Sequence, residues 1–444
     1  MSLLARSLLL NLEGGALLMK PSTSSYIAKL TLMNICTAFL LGMGYGLPHS
    51  TMDLSSETDM QSPEIVAPVI EHALDQVDKA KNLSNLFGWF DNSASKNCED
   101  CVKQISSMRY AQCSATDKNG YMEKSLSDAS LSNSMIGRLI RRPVRPDSII
   151  KPICMQMSME LGRSALPRSS FKGCSKEGYG AATGAACVSE NYFKLMNNSF
   201  DLVSTCMKDF IGAGESEDMK KLDVRAVYAL VNVESGFHMN AVSGTGAGGI
   251  GQFTSAAIKD VNVNELPAVR NSLESNANPV CGRMSMEFLD SMQPIKDAAS
   301  KSCERISLKN GNPVKNMIYT FAYLRGVKKD MDRSIFKNKE YSKKFKLSEY
   351  DLAKVKRAMM VWSHNTGSNG TLTPTKALLR TLYRNKPVTN ADAFIAQLQQ
   401  YMQKYPAGAN ATTARRRETS SYFPKITNLL NQIENNAGGG SCVN

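Results

Sequence analysis

Apolar residues recur along this chain at intervals of three and four far more regularly than at alternate positions. Ile65, Val66, Val69, Ile70, Ala73, Leu74 and Val77 form one such series. It opens with Ser62-Pro63-Glu64, a capping serine with proline at the first helical position. Residues 149–161 predict another helix. A further one opens at Ser189 and carries Phe193, Met196, Phe200, Val203, Met207 and Phe210 on one face. Asp223 is placed to cap a helix through Val224, Val227, Leu230 and Val231. Residues 316–327, 352–362, 374–383, 391–405 and 418–433 complete the set, with Thr373 and Pro374 starting the third of these. Strand-type alternation is weak and no internal repeat is found. The pattern predicts a mainly α protein.

Breaks in the pattern divide the chain. Residues 30–43 are apolar and uncharged, follow Lys20 and Lys29, and precede Gly44-Tyr45-Gly46. That is the order of a secretory signal, so residues 1–46 are expected to be removed. Met19 is an alternative start. The run is too short for a comfortable membrane span, so no stable insertion is expected after signal removal. Residues 47–62 read as a polar linker. Residues 63–212 form a cysteine-rich helical region that ends at the Gly- and Glu-rich segment 212–217. A second helical region covers 222–433, and 434–444 reads as a flexible tail.

Composition supports a folded, exported protein. Of 444 residues, 42% are apolar and 21% charged, enough to bury a core and unlike collagen, coiled coil or a disordered chain. Lys and Arg exceed Asp and Glu by 53 to 40; the net +13 favours an anionic partner. Setting Cys36 aside, ten of the 11 cysteines remain, an even number suited to disulfides in an oxidising compartment. Cys174–Cys187 and Cys281–Cys303 are the expected local pairs. Cys98-x-x-Cys101 has no second such motif and only His72 nearby, so no metal site is expected. Export and the lack of a recognition motif argue against nucleic acid.

The chemistry concentrates at residues 231–252. Glu234 ends an apolar helix that Ser235 and Gly236 stop, and a glycine-rich loop follows. The negative end of a helix and apolar neighbours both favour the protonated carboxyl, which suits a general acid. On these residues alone, a solvated surface glutamate is the commoner meaning of such a pattern. His238 is expected on an exposed turn. Arg415-Arg416-Arg417, just before Glu418, reads either as a solvated run at a helix start or as a contact for anionic peptides.

Four blocks in order bring a family into view. Glu234-Ser235, Ala241-x-Ser243 and Gly246-Ala247-x-Gly249-Ile250-Gly251-Gln252 make up the first. Pro313-x-x-Asn316 with Tyr323-Leu324 is the second, Ser363-His364-Asn365-Thr366-Gly367 the third, and Glu418-Thr419-x-x-Tyr422 the fourth. Together they resemble the soluble lytic transglycosylases, lysozyme-like muramidases related to goose-type lysozyme. The resemblance runs over 222–433, about half the chain.

The resemblance implies a helical lysozyme-like catalytic lobe at 222–433, with 261–312 as an insertion. It implies cleavage of the β-1,4 bond between N-acetylmuramic acid and N-acetylglucosamine in peptidoglycan, leaving 1,6-anhydromuramoyl ends. Glu234 would be the single general acid and base, where most glycosidases use two carboxylates. Ser235, Ser243, Gln252, His364, Asn365, Gly367 and Tyr422 would line the glycan site, with no cofactor. Two positions depart from the family: His364 stands where tyrosine is usual, and Gly251 where methionine is common. A hydrolytic lysozyme and a non-catalytic wall-binding scaffold are the alternative readings.

Overall fold

In a computed structural model, residues 108, 110, 126–165, 188–239, 241, 243, 247–292, 312–404 and 413–444 are described, with no side chains for 162–165 and 413–415. The chain divides into two units, Met1–Asp91 and Asn92–Asn444, and everything described lies in the second. The signal-like segment, the linker and Cys174–Cys187 lie outside the described residues.

Among the described residues the protein is mainly α, with short isolated pairings in place of strands. We number the helices α1 Met135–Arg141, α2 Pro152–Ala165, α3 Glu190–Ile211, α4 Glu217–Ser235, α5 Ser255–Asp260, α6 Leu266–Glu274, α7 Pro279–Phe288, α8 Pro313–Met331, α9 Glu349–Thr381, α10 Ala391–Lys404 and α11 Thr413–Asn436. Single π-helical stretches, Val261–Glu265 and Asp332–Phe336, continue α5 and α8. No described helix is long and apolar enough to cross a membrane.

The helix α3 is central. Ser189 caps it by accepting from Tyr192 N at 3.2 Å, and Gly212 closes it. Its apolar stripe meets α1, α4 and α8. Phe200 lies 6.0 Å from Tyr228 of α4, 5.8 Å from Phe237 beyond α4 and 6.3 Å from Phe321 of α8, all of them buried. Burying one such side chain contributes roughly 1.5–3 kcal/mol. The boundary expected at 212–217 therefore falls between two helices of a single core. Lys328 of α8 ties that connection down, reaching Glu215 at 2.9 Å and Asp223 at 2.5 Å.

Several local expectations are corrected. Asp223 does not cap a helix: α4 starts six residues earlier at Glu217, and Asp223 is buried mid-helix against Lys328. Cys281 pairs with Cys206, not Cys303, because α7 packs its buried face on α3. Pro374 does not open a helix; the break lies at Gly367, and α9 resumes before the proline. The arginine run lies in the first turns of α11, which begins at Thr413, five residues before the start expected at 418.

The tail is held, not free. Lys151 N donates to Cys442 O at 2.9 Å, and Asn444 N to Ile149 O at 3.0 Å. Ile150 and Val443 pair antiparallel, and Cys154 bonds Cys442. Glu434 of α11 takes both carboxylate oxygens to Arg225 Nη2 of α4 at 2.8 Å.

Candidate active site

Glu234 is the penultimate residue of α4. Gly236 adopts φ 55°, ψ 32°, the left-handed end that glycine accepts without strain, and its N–H returns to Asn232 O. This stop holds the carboxylate at the helix end. Ser235 is buried, and its hydroxyl donates to Val231 O at 3.2 Å. It therefore shapes the helix end.

Two side chains from other helices reach the carboxylate. Tyr422 of α11 donates its hydroxyl to Glu234 Oε1. Burial first, and then the neighbouring carboxylate, push this phenol well above its usual range, so it remains a donor. His364 of α9 places Nδ1 3.2 Å from the same Oε1, within ion-pair reach but without the alignment of a hydrogen bond. Both partners are largely enclosed, with side-chain exposures of 6% for His364 and 16% for Glu234.

The imidazole sits in an aromatic frame. Tyr323 of α8 meets it edge-on at 5.8 Å, and Phe253 at 6.1 Å. Tyr323 is pushed up to about 12 by burial, and then by the fields of Asp260 and Asp330. Its hydroxyl lies 3.5 Å from Ser363 O. Asn365 is half-buried beside His364. Gly367, at φ 72° and ψ 161°, makes the kink that ends this turn, in a region open in practice to glycine alone.

The glycine-rich loop is fixed from within. Ser243 Oγ accepts from Ala247 N at 3.0 Å, while Ser243 N donates to Ala247 O at 2.7 Å. Gln252 takes a left-handed backbone, φ 49°, and its amide donates to Ala241 O at 2.9 Å and Gly249 O at 2.8 Å. Both residues were expected at the glycan; the structure gives each of them a loop-holding bond. At Gly249, a Cβ would meet Asn316 Oδ1 at 2.3 Å. At Gly251, one would meet Phe253 and Thr320 at 2.5 Å, so the space a larger residue would fill is already taken.

The turn after Glu234 is anchored by a residue outside the expected lobe. Tyr192 of α3 donates to Phe237 O at 2.9 Å and accepts from Met239 N at 3.0 Å. His238 is buried, not exposed. It lies flat against Tyr192 at 6.1 Å, with Nε2 3.4 Å from Met159 O. Tyr192, Tyr323 and Phe253 were missed as site residues; only Tyr323 had a signal, through its place in the Tyr-Leu pair.

Among the described residues no three His, Cys, Asp or Glu side chains converge as metal ligands would. The side chains touching Glu234 are a phenol and an imidazole, so the site can hold a proton on one carboxyl beside a donor and a base.

Residues 213–287 match the transglycosylase SLT domain family. The matched stretch holds α4, Glu234, the glycine-rich loop and α5 to α7. It thus takes in most of the described part of 261–312, the segment expected as an insertion. No curated protein and no solved structure matches the chain.

Proposed function

We propose, from the premise that the chain carries a transglycosylase SLT domain, that it is an exported peptidoglycan lytic transglycosylase with Glu234 as its one general acid and base. Its substrate is the β-1,4 bond between N-acetylmuramic acid and N-acetylglucosamine. The observation that carries the reading is Glu234 at the end of α4, inside the family match, with Tyr422 donating to its carboxylate.

The protonated carboxyl gives its proton to the bridging oxygen, and the bond from that oxygen to C1 of the muramic acid breaks. The sugar's own N-acetyl oxygen supports C1 as the leaving chain departs. Glu234, now a carboxylate, takes the proton of the C6 hydroxyl, and O6 closes on C1. The products are a free 4-hydroxyl and a 1,6-anhydro end, with Glu234 protonated again and no water consumed. General acid–base catalysis of this type contributes roughly 10²–10⁴-fold.

Export is supported by the disulfides Cys154–Cys442 and Cys206–Cys281, which persist in an oxidising compartment. The net +13 suits an anionic wall. Mass spectrometry of purified peptidoglycan after digestion tests the reading. Anhydro ends are expected from the native protein and none from Glu234→Gln. Reducing ends would mean hydrolysis, and no products would leave only a wall-binding protein.

A further inference from the structure

Glu234 Oε1 is doubly attended, by the Tyr422 hydroxyl and by His364 Nδ1, whereas Oε2 accepts no hydrogen bond from the described residues. The groups around the imidazole are Glu234 on α4, Tyr323 on α8 and the apolar ring of Phe253, with Tyr422 on α11 bonded to the same carboxylate. The fields of Asp260 and Asp330 reach the Tyr323 side of this frame. Both phenols keep their protons, which leaves the imidazole and the carboxyl as the two groups of this cluster between which a proton can be shared.

We propose that His364 is a positioning residue that shares a proton with Glu234 and sets the enzyme to work at acidic pH. The inference rests on Glu234 being the general acid.

A single proton on this pair has two places to sit. On Glu234 it is ready for the glycosidic oxygen. On His364 it makes an imidazolium 3.2 Å from a carboxylate, with little water between them. Opposite charges so close and so enclosed attract strongly, so the ion pair dominates and the acid form of Glu234 is scarce. A second proton, added at lower pH, restores the carboxyl while the imidazole stays charged. Activity therefore depends on that second proton and falls away as pH rises. A ring without a titrating nitrogen removes the competing base. Glu234 then holds its own proton to higher pH.

The test compares native protein, His364→Phe and His364→Tyr in the release of soluble fragments from purified peptidoglycan, as kcat/KM between about pH 4 and pH 9. Both variants are expected to be active, with the alkaline fall moved upward by about one pH unit or more. Superimposable profiles would overturn the proposal. So would folded variants inactive at every pH, because Glu234 would then need the imidazole itself.

A second measurement does not depend on turnover. His364 is one of four histidines, so its ring can be followed by NMR. In Glu234→Gln it should lose its proton at a pH lower by about one unit or more, since the neutral amide no longer holds the imidazolium. An unchanged titration would overturn the proton sharing. If Glu234→Gln instead kept full activity, the proposed function would fail and the shared proton would stand on the NMR alone.

Discussion

Tyr422 donates its phenolic hydrogen to Glu234 from 188 residues along the chain. The contact helps clamp α11 to α4. At the other end Arg225 grips Glu434, so the pair of helices is fixed antiparallel with the phenol over the carboxylate.

Tyr422→Phe keeps the ring and removes the donor. A hydrogen bond to a charged group is worth roughly 1.5–3 kcal/mol, so kcat should fall by about tenfold to a hundredfold. KM should change little, since the packing is kept. Initial rates of muropeptide release at several substrate loads would check this, and an unchanged kcat would remove Tyr422 from the site.

Two glycines separate clash from strain. Gly367→Ala would meet nothing within 4 Å, so its cost is the backbone alone, about 1–3 kcal/mol. Gly249→Ala, at φ 78°, adds a Cβ 2.3 Å from Asn316 Oδ1 and should cost more. Urea unfolding of both variants gives the order, and the reverse order would contradict the loop geometry.

Asp223 carries a pH dependence. Burial raises its carboxyl to about 6, against the pull of Lys328 and with a further push from Glu215. The folded state holds this proton to higher pH than the unfolded chain does. Its contribution to stability is thus fully present below the ordinary 3.8 and is lost as pH rises through about 6. Asp223→Asn should flatten the fall in melting temperature across that window. Melting curves at about pH 4 and pH 8 would show it; parallel behaviour of variant and native protein would refute it.

The Cys206–Cys281 bond closes a loop of 75 residues between α3 and α7. The chain-entropy model puts its worth at about 4 kcal/mol. The double replacement by serine should lower the unfolding free energy by up to that amount, measured in guanidinium. No loss would mean that the packing of α7 on α3 alone fixes this corner.

The helices were legible because their signals are local: the Ser189 cap, the stripe from Phe193 to Phe210, and the glycine after Glu234. The cluster was legible where the sequence blocks name Glu234, His364 and Tyr422, which the fold brings together. Asp223 misled because an acid before an apolar run looks like a cap, and only tertiary structure supplies Lys328. His238 misled because a polar residue after a helix stop looks solvated, and its cover, Tyr192 and Met159, comes from far upstream. The division at 212–217 rests on a short polar segment, which marks a turn, and periodicity does not reveal which helices share a core. Ser243 and Gln252 have the polar groups a glycan needs, but those groups are used within the loop.

The two cysteine pairs among the described residues are nested. Cys154 joins Cys442 across 288 residues, and Cys206–Cys281 lies wholly inside that span. A chain threaded through a membrane from its N-terminus exposes Cys154, Cys206 and Cys281 before Cys442 arrives. An oxidant that joins cysteines in order of appearance would bond Cys154 to a neighbour such as Cys113 or Cys174 before Cys442 arrives. Such a bond must be broken by thiol exchange before the native one forms. For a chain exported as proposed, the yield of folded protein is therefore expected to depend on a disulfide-shuffling catalyst and not on an oxidant alone, which would make the producing cell's isomerase capacity a limit on the proposed wall-cutting activity.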